Sequence, residues 1–451
     1  SYFYADFGYT EGYKKNTLNK RAGEKSHLFS KFVKSFKGRN NSENILSFSI
    51  QDTSNDKYLK LYKIKSNLVD YNKDTLESSF NFTHENDQIF LGINANIYET
   101  LKEDYNDKYE FILPEITLDK NLFSDNNLGS LNLQSNLKIH NFDTNKFTNF
   151  FVNDFNWEKD LNFQSGLTGR LLSNIKNINY EARNVDLYKK SYTNELYGAL
   201  GYLSQIELVK NVNNSYQTLI PKVFFRYAPG EMRKEDNSGN RLDPKNVFSI
   251  DRLNNINNFE TGLSAALGID YKFITDQKQL DFSLGQIISD KENKNMASET
   301  SLDEKLSDVV GSMNYKHNDK FDFNYNFAID QNLNDLNYNE FGTSINLDPL
   351  KISFNYLHED KHIGDQEYLQ TNIDLLKNDD GKLSFKTKRN LVTDSAEYYD
   401  LSYEYINDCL RAGVVYRREF YNDSEIEQEN SLIFKITLTP FGNIDSPSIN
   451  K

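Results

Sequence analysis

The chain has very little cysteine, no long apolar run and no excess of positive charge, and each of these absences excludes a class of protein. A single Cys in 451 residues excludes an internal disulfide framework and a cysteine-rich metal site. No apolar run approaches the roughly 18 residues that a membrane-spanning helix needs. Lys and Arg number 52 against 66 Asp and Glu, a formal net charge of −14, so the sequence lacks the basic surface expected of a nucleic-acid-binding protein.

Proline and glycine are also scarce, whereas aromatic residues are abundant. With only 7 Pro and 21 Gly, most turns must come from Asn and Asp, which tolerate turn conformations. Phe, Tyr and Trp make up 14% of the chain. Low hydrophobicity with high net charge is typical of disorder, but this much aromatic surface needs to be covered. We therefore expect a folded protein.

Apolar and polar residues alternate along much of the chain, which is the pattern of β-strands. The clearest run spans residues 321–329, where five apolar residues on one face alternate with polar residues on the other. Similar runs place apolar residues two apart at Leu46, Phe48 and Ile50; Phe80 and Phe82; Leu131 and Leu133; Leu137 and Ile139; Ile352, Phe354 and Tyr356; Tyr399, Leu401, Tyr403 and Tyr405; and Leu432, Phe434, Ile436 and Leu438. The chain is predicted to be all-β.

The number and length of these runs favour a transmembrane barrel. Allowing about 20 residues per strand and connection gives roughly two dozen strands, too many for one sandwich. Several runs reach about ten residues, whereas strands of soluble proteins have a mode near five or six. In hydrocarbon every backbone group needs an internal partner, which among sheets only a closed one provides. A large barrel also has a lumen wide enough for the polar alternate face.

Connections of two lengths support the same architecture. Residues 377–381 resemble a short turn, whereas residues 228–247 and 289–304 resemble long polar loops. Short turns at one rim and long loops at the other are typical of outer-membrane barrels. The first long loop contains several chain breakers and could be an interdomain linker, but the strand pattern continues unchanged on both sides, which favours one domain. Because strand-like residues 2–9 begin the sequence without a signal segment, we expect a longer precursor.

Candidate metal-binding and catalytic residues have simpler structural interpretations. His358 and His362 are four apart, which on a helix would direct both toward one metal. The alternation of Phe354 and Tyr356 instead predicts a strand that runs into a solvated loop. The carboxylates form no pair of fixed separation for acid/base catalysis, and no phosphate-binding glycine motif is present. We expect neither enzyme activity nor a cofactor or metal.

Two other features leave their roles open. Arg417 and Arg418 would lie on opposite faces of a strand, and a position near a membrane interface or loop is favoured over a phosphate contact. Cys409 could pair with a cysteine in another chain or in a missing amino-terminal segment, or remain reduced and face the lumen.

Several segments resemble the LptD family of LPS-assembly proteins and follow that family's order. They are Leu113–Ile116, taken as a strand start; Asn246–Leu253 with its FSIDRL motif, followed by Phe259–Gly262; Leu302–Gly311, followed by the alternating run at residues 321–329; and Tyr403–Phe420, which includes Cys409 and the two arginines. The resemblance extends over most of residues 50–442.

The resemblance implies a very large outer-membrane β-barrel, of about 26 strands in the family and roughly 22–24 here. We expect it to occupy residues 1–442, with a carboxy-terminal tail at 443–451 and with a periplasmic domain and the first strands missing. In this family, lipopolysaccharide arrives through periplasmic bridge proteins and leaves sideways between the first and last strands, without a bond being broken. The implied partners are lipopolysaccharide, an LptE-like plug lipoprotein, the bridge proteins, the barrel-insertion machinery and the outer membrane, with no nucleic acid.

The resemblance also implies roles for particular residues. Family members commonly carry two adjacent carboxy-terminal cysteines that bond to an amino-terminal pair, so Cys409 could form at most one such bridge, to an absent segment. Leu432, Phe434, Ile436 and Leu438 match the late strand that we expect to form both the gate and the signal for barrel insertion. Pro440 cannot donate a ladder hydrogen bond, so pairing should end there.

Three alternatives remain at the level of sequence. The first is a porin or plugged transporter with a polar lumen, which stable ion conductance would reveal. The second is a soluble all-β binding module, which solubility without detergent would reveal. The third and weakest is a barrel-embedded lipase, since no nucleophile stands out.

Overall fold

One antiparallel sheet runs from the first residues of the chain almost to its last. The computed structural model describes residues 1–11, 24–62, 64, 66–69, 71, 73–102, 105–163, 166–212, 214–235, 241–253, 255–361, 365–376, 381–392, 394–406, 410–419, 430–438, 442–445 and 449–450.

Within these residues, 25 strands belong to the sheet. They are β1 (Tyr2–Thr10), β2 (Lys25–Lys37), β3 (Glu43–Thr53), β4 (Thr75–Glu85), β5 (Ile89–Thr100), β6 (Tyr109–Asp125), β7 (Gly129–Phe142), β8 (Phe147–Asn162), β9 (Leu167–Arg183), β10 (Thr193–Ile206), β11 (Leu208–Val212), β12 (Ser215–Ala228), β13 (Gly262–Ile274), β14 (Lys278–Ser289), β15 (Val309–His317), β16 (Phe321–Ile329), β17 (Leu336–Leu347), β18 (Leu350–Glu359), β19 (Gln366–Leu376), β20 (Gly381–Asn390), β21 (Ser395–Ile406), β22 (Leu410–Glu419), β23 (Asn430–Leu438), β24 (Gly442–Asp445) and β25 (Ile449–Asn450). The connections contain one short helix, α1 (Tyr58–Leu61), and two 3₁₀ turns at Arg39–Asn41 and Ser298–Thr300. No helix in this part of the chain has the length and apolarity to span a membrane.

The strands pair in chain order, from β1 with β2 to β22 with β23. The strands β10 and β11 both pair with β12 and act as one long strand interrupted at Glu207. The short strands β24 and β25, which lie at and beyond the expected boundary at residue 442, both pair with β23. The predicted large antiparallel barrel is confirmed. The interruption and the two short strands account for a strand number slightly above the expected one.

Connections of different length separate the two rims, as the sequence predicts. The long connections, which include residues 54–74, 229–261 and 290–308, follow strands that run in one direction. The connections that follow strands of the opposite direction are short, for example residues 86–88 and 348–349. This arrangement is that of outer-membrane barrels, whose long loops face outward and whose short turns face the periplasm. The predicted turn at residues 377–381 lies mostly outside the described residues.

The two faces of the sheet differ in the way that the alternation predicts. On β12, Phe225 and Tyr227 are more than half exposed on the outer face. Between and beside them, Phe224, Arg226 and Ala228 are buried on the inner face. The outer face is therefore apolar and the inner face mixed, which suits hydrocarbon outside and water inside.

The main apolar core lies inside the barrel. The connection between β12 and β13 folds back onto the inner face, where its Val247 and Leu253 pack with Phe224, Ala266 and Ile287. The sequence predicted only a polar loop at residues 228–247. The connection is longer, and none of the described residues in its second half, 246–261, is exposed.

The Leu113–Pro114 segment is not a strand start, contrary to the sequence-based expectation. It lies within β6, and the β6 ladders with both neighbours shift register around residues 112–115. Proline lacks the N–H that a ladder needs, and it is tolerated inside a strand where a bulge interrupts the pairing.

Candidate functional site

The connection at residues 229–261, here called the luminal loop, is held against the inner wall by buried charges. Arg252 donates to Glu260 Oε2 at 2.7 Å, contacts its other carboxylate oxygen and reaches Ser264 Oγ at 2.9 Å. Arg226 of β12 donates to the carbonyl of Ile250 at 2.6 Å and to the carbonyl of Glu260. Arg226, Arg252 and Glu260 are at most 5% exposed.

Electrostatics within this group favour the charged state of the carboxylate. Burial alone would raise the pKa of Glu260, but the charges of Arg252 and Arg226 outweigh burial and hold that pKa below its ordinary value. Glu260 lies in the luminal loop and Arg226 on the wall, so the ionised pair ties the two together.

A second buried charge fixes the loop to the neighbouring strands. Lys176 of β9, only 2% exposed, lies 2.6 Å from Asp251 of the luminal loop and 3.5 Å from Asp154 of β8. Its ammonium group also donates to the carbonyls of Asn255 and Asn258 at 3.4 Å. Among the described residues, the partners of this ammonium group therefore lie in the loop or on the adjacent strand.

Two further arginines of the loop region contact the rim of the wall. Arg233 donates to Glu195 of β10 at 2.6 Å. Arg241 pairs with the buried Glu359 of β18, and its guanidinium lies 3.4 Å from the centre of the Tyr338 ring. The luminal loop thus spans the lumen from β10 to β18 at the long-loop rim.

A cavity of about 560 Å³ remains between the luminal loop and strands β7 to β10. It lies on the inner face, and polar and apolar side chains both line it. A space of this size is within the roughly 300–1,000 Å³ of small-molecule sites.

The two ends of the sheet form a seam of a different kind. Within the described residues, β1 pairs only with β2, and β23 pairs with β22 on one side and with β24 and β25 on the other. No ladder joins β1 to β23 in this part of the chain. The edge of β1 carries exposed aromatic residues, among them Phe3, Phe7 and Tyr9.

The connection at residues 54–74, here called the strap, is anchored beside β1 and β2. Its Tyr58, Leu59 and Val69 pack in an apolar cluster with Phe29 of β2. The Tyr58 hydroxyl lies 3.1 Å from Nδ1 of His27, a buried residue of β2. The other ring nitrogen of that histidine lies 3.2 Å from a carboxylate oxygen of Asp6 on β1. The strap is therefore attached to the first strands and moves with them.

The strap also contacts the other end of the sheet through Tyr71, a member of the same apolar cluster. Arg417 of β22 donates to the hydroxyl of Tyr71, a residue 346 positions away in sequence. Asp400 of β21 holds the same guanidinium through two hydrogen bonds, of 2.6 and 2.5 Å. Both contacts lie toward the long-loop rim, because Arg417 is near the end of β22 that leads to a long connection. The strap thus contacts both ends of the sheet and bridges the seam.

The structure places the predicted gate residues on one face of β23. Leu432, Phe434 and Ile436 lie opposite Tyr416, Val414 and Ala412 of β22, and Leu438 ends the strand. Phe434 and Ile436 are exposed on the outer face. The pairing of β23 with β22 ends at Leu438, two residues before Pro440, and Pro440 itself lies outside the described residues.

The other residues singled out in the sequence are scattered. Arg417 faces inward and Arg418 is exposed on the opposite face, as expected for neighbours in a strand. His358 lies near the end of β18, with Nε2 3.3 Å from Asp360. His362 and Cys409 lie outside the described residues.

Sequence reasoning missed the charged residues that hold the luminal loop and the strap. Arg252 and Glu260 lie within the family-like segments, but their pairing could not be read from a spacing of eight. The alternation on β12 places Arg226 on the inner face, which was the one available signal for it.

Comparison with known proteins gives a family and distant structural similarities. The model of the family "LptD: LPS transport system D" matches residues 31–391. Two mutants of the Rh. blastica porin share 7% and 8% identity, with TM-scores of 0.22 and 0.21; each alignment covers 66% of this chain and 91% of the porin. The siderophore receptor PirA from Acinetobacter baumannii shares 9% identity over 97% of this chain and 73% of the receptor, with a TM-score of 0.35. No curated protein matches.

Proposed function

The chain belongs to the LptD family of LPS transport proteins, and we propose that it inserts lipopolysaccharide into the outer leaflet through a lateral gate at its seam. The family is a component of a transport system, and the barrel resides in the outer membrane. The proposal concerns the route: sugars through the lumen and acyl chains through the opened seam.

The physical need for a seam follows from the chemistry of the substrate. Moving acyl chains through water costs about 0.8 kcal/mol per exposed CH₂ group. Moving hydroxyl and charged groups through hydrocarbon costs several kcal/mol per group. A barrel with an apolar outer face and a polar inner face that can part along one line lets each half of the lipid stay in its own phase.

The observation that carries the proposal is the weak closure of the sheet. Elsewhere, neighbouring strands are joined by ladders of backbone hydrogen bonds, whereas in the described residues β1 pairs with β2 alone and the second edge of β23 pairs with β24 and β25 rather than with β1. The contact between Tyr71 and Arg417 bridges this seam instead. Because the strap crosses the seam at the long-loop rim, where the sugars would leave, it must detach during export.

The family membership also supports several partners as proposals. We infer an LptE-like plug in the lumen, periplasmic bridge proteins that deliver lipopolysaccharide, and the barrel-insertion machinery as reader of the β23 residues Leu432, Phe434, Ile436 and Leu438. A disulfide from Cys409 to a segment outside this chain is part of the same proposal. The division into a barrel at residues 1–442 and a tail at 443–451 also remains a prediction.

The gate can be tested by locking the strap. Cysteines that replace Tyr71 and Arg417, in a Cys409→Ser background, would be joined by a cleavable bis-maleimide. We expect new surface lipopolysaccharide to stop appearing on cells after cross-linking and to resume after cleavage. A matched control joins Lys60 to Asp74, which form an ion pair of 2.8 Å within the strap, and should leave export unchanged. Normal export with the Tyr71–Arg417 link intact would refute the gate.

A plugged transporter is the second candidate, because the luminal loop occupies part of the lumen. Ion conductance of the purified protein in planar bilayers separates the two. A stable open pore would favour the transporter, and brief openings that disappear when the strap is cross-linked would favour the gate.

A further inference from the structure

The cavity between the luminal loop and strands β7 to β10 lies where the proposed route passes through the lumen. On the wall it is lined by inward residues that include Gln134, Asp154 and Asn156. On the loop it is lined by Phe248 and Asn255, among others. Any group that moves along this wall passes over these side chains.

The charges around the cavity disfavour an anionic ligand. Lys176 is already held by Asp251 and Asp154. The second lining cation, Arg170, lies 2.6 Å from Asp160 and 3.6 Å from a carboxylate oxygen of Glu158. Two cations therefore face four carboxylates. A phosphate would have to displace carboxylates from both cations before it could bind.

The remaining polar groups suit hydroxyls. The Asn174 amide, which is 1% exposed, donates to Asp154 and at 2.7 Å to Asn156, and so fixes two of the lining side chains. The Oδ1 atom of Asn174 has no hydrogen-bond partner among the described residues. Gln134 is exposed to the lumen and offers both a donor and an acceptor. Amides, which both donate and accept, and carboxylates, which accept, match the hydroxyl groups of a sugar.

Apolar side chains complete the cavity. Phe248 and Ile256 of the luminal loop line one side of the space, and Leu172 and Leu203 of strands β9 and β10 add apolar surface on the wall. Binding sites for small molecules commonly combine a mainly apolar lining with a few placed polar groups. A sugar ring presents C–H groups on its faces and hydroxyls at its edge, so it can satisfy both sides of this cavity.

We propose that this cavity is a binding site for an uncharged, hydroxyl-rich sugar segment rather than for a phosphorylated one. The inference rests on the proposed function, since it assigns the cavity to the saccharide part of the transported lipid. It divides the lumen into a stretch that holds neutral sugars and other stretches that must accommodate the phosphates.

Direct binding tests the site. The purified chain in an amine-oxide detergent, which has no sugar head group, would be mixed with maltotriose or with glucose 1-phosphate and studied by saturation-transfer NMR. We expect transfer to maltotriose well above that to glucose 1-phosphate. Gln134→Leu and Asn156→Leu should each reduce the maltotriose signal about fivefold, as expected for one lost hydrogen bond.

A matched control places the same change elsewhere in the lumen. Asn324→Leu alters a partly buried residue on the polar face of β16 that does not line the cavity, and should leave binding unchanged. Heat-modified migration on gels confirms that each variant is a folded barrel. Stronger binding of glucose 1-phosphate, no binding of maltotriose, or equal loss in the Asn324 variant would overturn the proposal. Binding with normal export from a locked strap would refute the gate and leave the sugar site standing.

Discussion

The luminal loop and the strap both fold back onto the barrel, but they are held by different interactions. The luminal loop is fixed to the wall by buried charges, which include the pairs of Glu260 with Arg226 and of Asp251 with Lys176. The strap packs in the apolar cluster around Phe29, and one member of that cluster, Tyr71, also accepts a hydrogen bond from Arg417 across the seam.

This difference separates a fixed part of the molecule from a movable one. Breaking a buried ion pair leaves an uncompensated charge, which costs about 3–5 kcal/mol. A single hydrogen bond contributes about 0.5–1.5 kcal/mol, or up to about 3 kcal/mol when one group is charged. The contact between Tyr71 and Arg417 can therefore break while the barrel stays folded, whereas the luminal loop stays in place. The comparison predicts that motion concentrates at the seam.

The largest effect is expected where the luminal loop loses its carboxylate. Glu260→Gln would leave Arg252 and Arg226 buried without a counter-charge, at a cost of about 3–5 kcal/mol to the closed position of the loop. Limited proteolysis of the detergent-solubilised protein, read by mass spectrometry, should show strong new cleavage within residues 229–261. Glu231→Gln, at an exposed glutamate of the same loop, is the matched control and should resemble the unmodified protein. Unchanged cleavage in the Glu260 variant would mean that the ion pair does not hold the loop.

A smaller effect is expected at the strap. Tyr71→Phe removes only the hydroxyl that accepts from the charged Arg417, at a cost of about 1.5–3 kcal/mol, which is roughly a tenfold or larger change in the equilibrium for breaking this contact. Amide hydrogen exchange should become faster in residues 54–74 and stay unchanged in the luminal loop. Tyr227→Phe, at an exposed position on the outer face of β12, is the control. Equal acceleration in both regions would contradict the separation into a fixed and a movable part.

Much of the fold can be predicted from period-two alternation. The run that forms β16 shows both the strand and its two faces, and the spacing of Leu432, Phe434 and Ile436 places them on one face of β23. This succeeds because each strand must satisfy lipid on one side and the lumen on the other along its whole length. The local pattern therefore predicts both the strand and the orientation of its two faces.

The contacts that hold the loops cannot be predicted in this way. Lys176 and its partner Asp251 are 75 positions apart, and Tyr71 is far more distant from Arg417. Such pairs depend on how a connection folds back across the lumen, and no local period records that path. The wrong assignment of Pro114 to a strand start has a local cause: proline is usual at the first residue of a strand, and the bulge that admits it within β6 has no signature in the sequence.

The smallest expected effect is that of pH, which should act in opposite directions on residues 290–308 and on the luminal loop. The connection at residues 290–308 packs on the luminal loop, where Asn295 donates to the carbonyl of Met232 at 3.0 Å. In this connection, burial raises the pKa of Asp308 despite a hydrogen bond from Asn337, and burial also raises the pKa of Asp303. The folded state then binds protons more readily than the unfolded state, so the stability of this connection should rise as pH falls through the raised values.

Glu260 should respond to acid in the opposite direction. Its folded pKa is lowered, so its contribution is complete above the ordinary value of roughly 4.3 and is lost as pH falls through the folded value. Protection factors from amide exchange should therefore increase at residues 290–308 as pH falls from neutral toward the ordinary Asp value of about 3.9, and decrease in the luminal loop only below the ordinary Glu value of about 4.3. Replacing Asp303 and Asp308 with Asn should abolish the increase and keep the acid-induced loss. If the luminal loop instead gained protection in acid, burial rather than the arginines would set the pKa of Glu260. The proposal that ion pairs hold the luminal loop in place would then be wrong.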